Sequence, residues 1–195
     1  MMKKKDRHVE QTHTLLRSAL VSLIEERGFE VLTVQDILDR ANVGRATFYA
    51  HFDNKEDLLV SGFEDLRASL KQRQREALAQ RGGVEERAFS FSREMFAHAN
   101  EYRRVFQAMA GRHSGAMVQQ ILHQMLVELV RDDMRAMTAR GEAESAPAET
   151  TVQFVAGGLF GLLMWWMKGK MRLSPQEIDT LFLRLAVPAM KAALG

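Results

Sequence analysis

The sequence predicts an all-α protein of nine helices in two unequal domains, and three observations carry that prediction. Only three prolines occur in 195 residues. Long stretches are rich in Ala, Leu, Met, Glu, Gln and Arg, the residues that lose least on entering a helix. Apolar side chains recur at spacings of three and four, the period of one buried helix face.

The elements follow in order. Arg7–Arg27 forms the first helix, with Val9, Leu16, Leu20, Leu23 and Ile24 on one side and Gly28 suited to its C-terminal cap. Thr33 stands directly before an apolar-periodic run and can N-cap a short helix, Val34–Arg40. In that run Val34, Ile37, Leu38 and Ala41 keep the i, i+3, i+4, i+7 spacing. Ala41–Gly44 breaks the pattern, and Asn42 tolerates a left-handed turn conformation. A third short helix covers Arg45–His51. Asp53 and Asn54 are candidates to cap a long helix through Gln80, with Leu58, Leu59, Phe63, Leu66 and Leu70 as its buried stripe and Arg81-Gly82-Gly83 as its end. Further helices fit Val84–Ala99, Glu101–Ala110 and Ala116–Ala139. Gly141–Pro147 reads as a surface linker. Two helices remain, Ala148–Lys168 and Pro175–Ala193; the second begins with Ser174 as cap, Pro175 at the first position and Glu177 three after the cap. The domain boundary falls near Asn54, giving an N-terminal domain over residues 1–53 and a C-terminal one over 54–195.

Charge alone does not indicate a partner. The formal net charge is +2, and residues 1–60 hold nine Lys and Arg against ten Asp and Glu, so affinity for an anion must come from where the positive groups sit. The absence of cysteine excludes disulfides and thiolate metal sites and fits a cytoplasmic protein. Met1–Lys5 leads into a charged helix rather than a secretory apolar segment. The most apolar stretch, Phe154–Met167, has fourteen residues, short of the ~20 a bilayer span needs. It reads as a buried helix.

Two short helices joined by a tight turn are the simplest device for laying a helix in the major groove. Val34, Ile37, Leu38, Val43, Phe48 and Phe52 can form a small core against the first helix. Arg45, Ala46, Tyr49, Ala50, His51 and Lys55 then point outward. Arg45 can pair bidentately with guanine, and Ala46 or Ala50 can touch a thymine methyl. Tyr49, His51 and Lys55 can donate to phosphates, fixing register rather than reading sequence. The free amides at Thr33 offer a further phosphate site. Lys3, Lys4, Lys5 and Arg7 could form an arm reaching a neighbouring groove or a solvated tail.

The stretch Thr33–Leu58 (TVQDILDRANVGRATFYAHFDNKEDL) resembles the signature of the TetR family of transcriptional regulators. Its most diagnostic part is Thr47-Phe48-Tyr49-x-His51-Phe52-x-x-Lys55-Glu56-x-Leu58, and the likeness covers residues 7–60. The resemblance implies a helix-turn-helix domain and places Thr33, Arg45, Ala46, Thr47, Tyr49, His51 and Lys55 at DNA-contacting positions. Leu38, Asn42 and Gly44 depart from the family's usual small residue, glycine and serine. Gly44 keeps a backbone amide for phosphate but lacks the hydroxyl.

For the remainder, the resemblance implies a helical ligand-binding body and a dimer built from the last two helices. Within Ala148–Lys168, Gly157, Gly158 and Gly161 interrupt an apolar helix at a cost of up to about 1 kcal/mol each against alanine. Close approach of another helix, or room for a ligand, would explain them. Phe154, Leu162 and Trp165 share their broad face, and the last helix offers Ile178, Leu181, Phe182, Leu185 and Pro188; two such helices per subunit would make a four-helix interface. A core helix within one subunit is the alternative. Met95, Phe96, Phe106, Met109, Met125 and Trp165 fall where the family's pocket-forming helices would be. Methionine suits an adaptable apolar site, although such a stripe more often serves a core. His98, His113, Gln119 and His123 are the candidate polar handles.

Metal binding and catalysis find no support. His8 and His13 lie about 140° apart round a helix, and His113 and His123 about 80°, whereas paired ligands want one face. There is no Gly-x-Ser-x-Gly elbow, no cysteine nucleophile and no phosphate loop. No cofactor is implied and no enzyme is expected. Two readings compete. One is a homodimeric repressor on near-palindromic double-stranded DNA, released by a small apolar or amphipathic effector. The other is an adaptor of the same fold that docks a protein and has no small effector.

Overall fold

The computed structural model describes residues 4–80, 87–110, 112–139, 149–169 and 172–194. Among them are nine helices and no strand: α1 (Lys4–Arg27), α2 (Val34–Ala41), α3 (Arg45–Tyr49), α4 (Lys55–Ala79), α5 (Ser92–Glu101), α6 (Arg103–Met109), α7 (His113–Ala139), α8 (Glu149–Lys168) and α9 (Pro175–Leu194). They fall into two compact units. The first runs to Asp65 and takes in Arg104–Ala116; the second holds Leu66–Arg103 and the chain from Met117 onward.

In the first unit local chemistry sets each boundary. Gly28 ends α1 with φ of 79° and an amide bonded 2.8 Å to the Ile24 carbonyl, a left-handed cap that glycine adopts without strain. Thr33 opens α2 with a reciprocal capping box: its amide donates to Asp36 Oδ2 at 2.9 Å, and the Asp36 amide donates to Thr33 Oγ1 at 3.2 Å. Asn42 closes α2 in the left-handed region at φ 52°. Leu16, Leu20, Leu23 and Ile24 of α1 are buried with Ile37, Leu38, Phe48, Phe52 and Leu58. Arg40 ties α2 to α1 through two bonds of 2.8 Å to the Glu26 carboxylate and one of 2.7 Å to Ser22 Oγ.

The second segment of this unit is held from a distance. Glu30 Oε1 accepts from the amide and hydroxyl of Ser114 at 3.2 and 2.5 Å, and Arg112 lies 3.6 Å from Glu30 Oε2. A carboxylate there satisfies a free donor at the start of α7, which explains why α7 begins at His113 rather than at the expected Ala116. Gly115 permits the turn between α6 and α7, since a Cβ there would collide with the Met109 carbonyl.

The second unit packs α9 on α5 and α8, with α5 also on α8. Phe96 meets Trp166 edge to face at 5.6 Å, and the Trp166 indole donates to the Leu173 carbonyl at 3.0 Å. Ser174 and Glu177 form the expected capping box on α9. Glu149–Lys168 is long and apolar enough to cross a bilayer by length and composition. Yet Val152, Val155, Ala156, Leu159, Leu163, Trp166 and Met167 are buried along one side of it.

Several boundaries differ from expectation. The helix expected over Val84–Ala99 is interrupted: Arg87 is helical, residues 88–91 form a turn and a helix resumes at Ser92, while residues 84–86 lie outside the described residues. Phe89 and Phe91 are both fully buried, yet two residues apart on a helix they would point about 200° from each other. The turn lets both face inward. Phe89 takes φ of 55° there, and its amide donates to Asp133 Oδ2 at 2.7 Å. The helix expected from Glu101 starts at Arg103, after a break at Tyr102. The third helix stops at Tyr49, leaving His51 in a turn. The expected helix end at residues 81–83 and the linker at residues 141–147 lie outside the described residues.

Candidate nucleic-acid interface

The outward surface of α2 and α3 is built by burying one residue of α3. Phe48 is fully buried and meets Phe52 at 5.7 Å and Tyr49 at 5.3 Å. With it fixed, Arg45, Ala46, Thr47, Tyr49 and Ala50 all stand exposed. Arg45 donates to Gln35 Oε1 at 2.9 Å, and Gln35 in turn donates to Asp39 at 2.7 Å. The guanidinium is thereby held over α2 with most of its donors still open. Gly44 precedes α3 with no side-chain cap, so the first amides of that helix stay available to an acceptor.

Three of the expected contacts have other work in this structure. Lys55 Nζ donates to the carbonyls of Phe29, Glu30 and Leu32 at 2.9, 3.2 and 2.7 Å and lies 4.6 Å from the centre of the Phe29 ring. An ammonium has three protons, and all three are engaged. Lys55 is a clamp on the loop after α1 rather than a free phosphate donor. Thr33 spends its hydroxyl and amide on Asp36. His51 is half-buried against His13. Of the suggested arm, Lys3 lies outside the described residues and the backbone of Lys4–Arg7 forms the first turn of α1.

The expected effector residues divide between the two units. Met95, Phe96 and Met125 are buried in the second unit, whereas Phe106 and Met109 belong to the first. His98 stacks on Tyr102 at 4.5 Å, and burial pushes its pKa below the ordinary histidine value. Trp165 corrects expectation most plainly. It is 63% exposed, while its neighbour Trp166 takes the inner place. The second unit does hold a cleft of about 270 Å³, bordered by Arg73, Gln80, Phe89, Ser90, Arg93 and Asp179. None of those residues was expected there.

The expected interface residues divide in two. Phe154 and Leu185 are each 71% exposed, and with Gly158, Gly161 and Trp165 the α8 residues stand at helical spacing along one outward stripe. A Cβ at Gly157, Gly158 or Gly161 would meet nothing within 4 Å; these glycines are not needed for packing within the chain. Leu162 and Leu181 are half-buried. Ile178 and Phe182 are buried inside the second unit instead, with Phe182 against Phe89 at 5.6 Å.

Sequence reasoning missed a buried carboxylate. Asp133 accepts from Gln74 Nε2 and from the Phe89 amide, both at 2.7 Å, and Gln74 Nε2 also donates to the Leu129 carbonyl. Burial pushes its pKa up to about 7, against the pull of those two hydrogen bonds. Ser92 likewise donates to buried Asp179. No local spacing announces either pair. Among the described residues no group of three or more His, Asp or Glu could hold a metal ion.

Comparison with known proteins matches this arrangement. A family profile described as bacterial regulatory proteins, tetR family, fits residues 16–61, and one described as a transcriptional regulator C-terminal region fits residues 86–187. The fatty acid metabolism regulator protein of Bacillus subtilis is 30% identical over 112 residues, 57% of this chain and 53% of that protein. The chain thus spans about half of that relative's length, and less of two other curated regulators it matches. A putative TetR-family transcriptional regulator from Syntrophomonas wolfei shares the fold, with a TM-score of 0.76 at 20% identity over 93% of this chain and 95% of that one. The regulator FadR from Bacillus subtilis, solved with stearoyl-CoA, gives a TM-score of 0.71 at 19% identity over 90% and 98%.

Proposed function

Because the chain belongs to the TetR family of bacterial transcriptional regulators, we propose that it acts as a cytoplasmic homodimeric repressor, released from near-palindromic operator DNA by a small apolar or amphipathic effector. The observation that carries the DNA half is the exposed set Arg45, Ala46, Thr47, Tyr49 and Ala50 around buried Phe48. Arg45 reads a guanine edge, the alanines meet thymine methyls, and Thr47, Tyr49, His51 and the Gly44 side of α3 meet phosphate. Residues 1–53 form the DNA-binding part and residues 54–195 the effector-binding and dimerising part.

The dimer half rests on the outward apolar stripe of Phe154, Gly158, Gly161 and Trp165 with Leu185. Small residues between large ones let a second copy's helices approach closely. A dimer sets two recognition helices about 34–36 Å apart, one turn of DNA. An effector that prefers another spacing weakens DNA binding by its differential affinity, about 1–3 kcal/mol. An amphipathic effector suits the kinship to a fatty acid metabolism regulator and to a protein solved with stearoyl-CoA, and the Met95, Phe96 and Met125 core is apolar.

The test is footprinting of the purified protein on DNA flanking its own gene, across a range of salt concentrations. A protected near-palindrome whose occupancy falls steeply with salt is the expected result. Arg45→Ala should lower affinity for that site by about 1–3 kcal/mol and relax the preference at one position while the dimer persists. A dimer that protects no sequence would instead support the adaptor reading.

A further inference from the structure

The DNA-facing segment leans on a histidine that plays no part in the DNA reading. His13, midway along α1, has its ring 4.9 Å from that of His51, edge on at 82°, and 4.8 Å from that of Phe52. Its Nε2 is inaccessible and has no hydrogen-bond partner. The ionisable groups facing it are few. His51 approaches from the turn after α3. Arg17, one turn further along α1, donates to the Ser61 carbonyl at 3.4 Å and pairs with Asp65 of α4.

A neutral imidazole fits this slot, because the tautomer with its proton on Nδ1 leaves only a lone pair at Nε2. An imidazolium does not. Its Nε2–H would be buried without an acceptor, beside a second imidazole and a guanidinium. Among the described residues the carboxylate that acts on it is Asp65, already held by Arg17. Burial first, then the charges of His51 and Arg17, hold the His13 pKa below the ordinary value of 6.5; Asp65 pulls the other way without reversing the shift.

We propose that His13 is a positioning residue for the DNA-facing end of the recognition segment: neutral, it braces His51 and Phe52; protonated, it lets them go, so that operator binding weakens on acidification. The idea rests on the DNA-binding reading above. Its sign is distinctive. Acidification ordinarily adds positive charge to exposed histidines near phosphates and tightens binding. Here the folded-state pKa is depressed, so the stabilising contact is complete above pH 6.5 and is lost as pH falls through the lower folded value.

The experiment uses the full chain, a fluorescent duplex carrying the footprinted sequence, and anisotropy titrations from pH 5 to 8 at constant salt. The wild type should lose affinity below pH 6.5, by up to about tenfold per pH unit for each head. His13→Phe fills the same aromatic slot and cannot charge; it should abolish the loss. If that variant melts early by circular dichroism, His13→Gln takes its place. Identical pH profiles for wild type and variant would overturn the proposal. Ring-carbon NMR of the free protein separates this outcome from failure of the regulator reading, since it needs no operator. His13 should titrate below 6.5, and the Tyr49 and His51 amides should shift along the same curve. A His13 that titrates without moving those amides refutes the brace even where no operator is found.

Discussion

The DNA-reading head and the C-terminal body differ in how far along the chain their decisive contacts reach. In the head, Thr33 and Asp36 cap α2 across three residues, and Gly28 and Asn42 each stop a helix by their own backbone preference. In the body the corresponding decisions span 59 residues from Gln74 to Asp133, 44 from Phe89 to Asp133, and 87 from Ser92 to Asp179. The surface that such a module presents to a repeating groove can be specified locally, even though its base is tied from Glu30 to Ser114, 84 positions on. A chamber walled by several helices cannot, because each wall is placed by the others.

The largest expected effect tests the head. Phe48→Ala removes the ring that turns α3 outward and should cost about 3–5 kcal/mol, with loss of DNA binding; hydrogen exchange should report it in α1–α3 and leave α8 unchanged. The outward stripe of the body comes next. Trp165→Glu should raise the dimer dissociation constant at least about thirtyfold, the scale of an interface hot spot, as read by analytical ultracentrifugation. Because that side chain is exposed within the chain, the helical circular dichroism should not change.

Asp133 gives a smaller effect and a sharper one. Its folded pKa, about 7, is raised by burial from the ordinary value of 3.8, so its favourable contribution is complete below 3.8 and fades as pH rises through 7. Urea unfolding should therefore show more stability at pH 5 than at pH 8. Asp133→Asn should flatten that difference while costing about 1–3 kcal/mol at pH 5, since its single amide oxygen replaces the two acceptors that Gln74 and the Phe89 amide use. Equal pH slopes in the two proteins would mean that the long-range contact does not govern the body. Smallest is Thr33→Ala, about 1 kcal/mol from the loss of one cap, seen as a lower denaturation midpoint with an unchanged slope.

What could be read in advance follows the same division. The helix count, the Thr33 cap, the Ser174–Glu177 capping box, the left-handed Asn42 and the outward set on α3 all depend on residues within a few positions of one another. The turn at residues 88–91 was hidden because Asp133, which holds it, lies on another helix. Trp165 cannot be told from Trp166 in sequence for a similar reason: in an apolar helix every register looks buried, and the packing of Phe96 picks the inner indole. Lys55 looked like a phosphate donor because the three carbonyls that absorb its protons are 23 to 26 residues away. The brace from His13 to His51 joins α1 to a turn 38 positions on and carries no motif.

The grip of Glu30 on Ser114 and Arg112 bears on how such regulators can be recombined. Exchanging heads between relatives by cutting once, after the recognition segment, would part an acidic residue from the hydroxyl and amide it holds 84 positions later. A chimera that also carried residues 104–116 from the donor would keep that clasp intact. Grafted specificity is therefore a two-segment transplant, and a single-cut hybrid should be less stable than either parent.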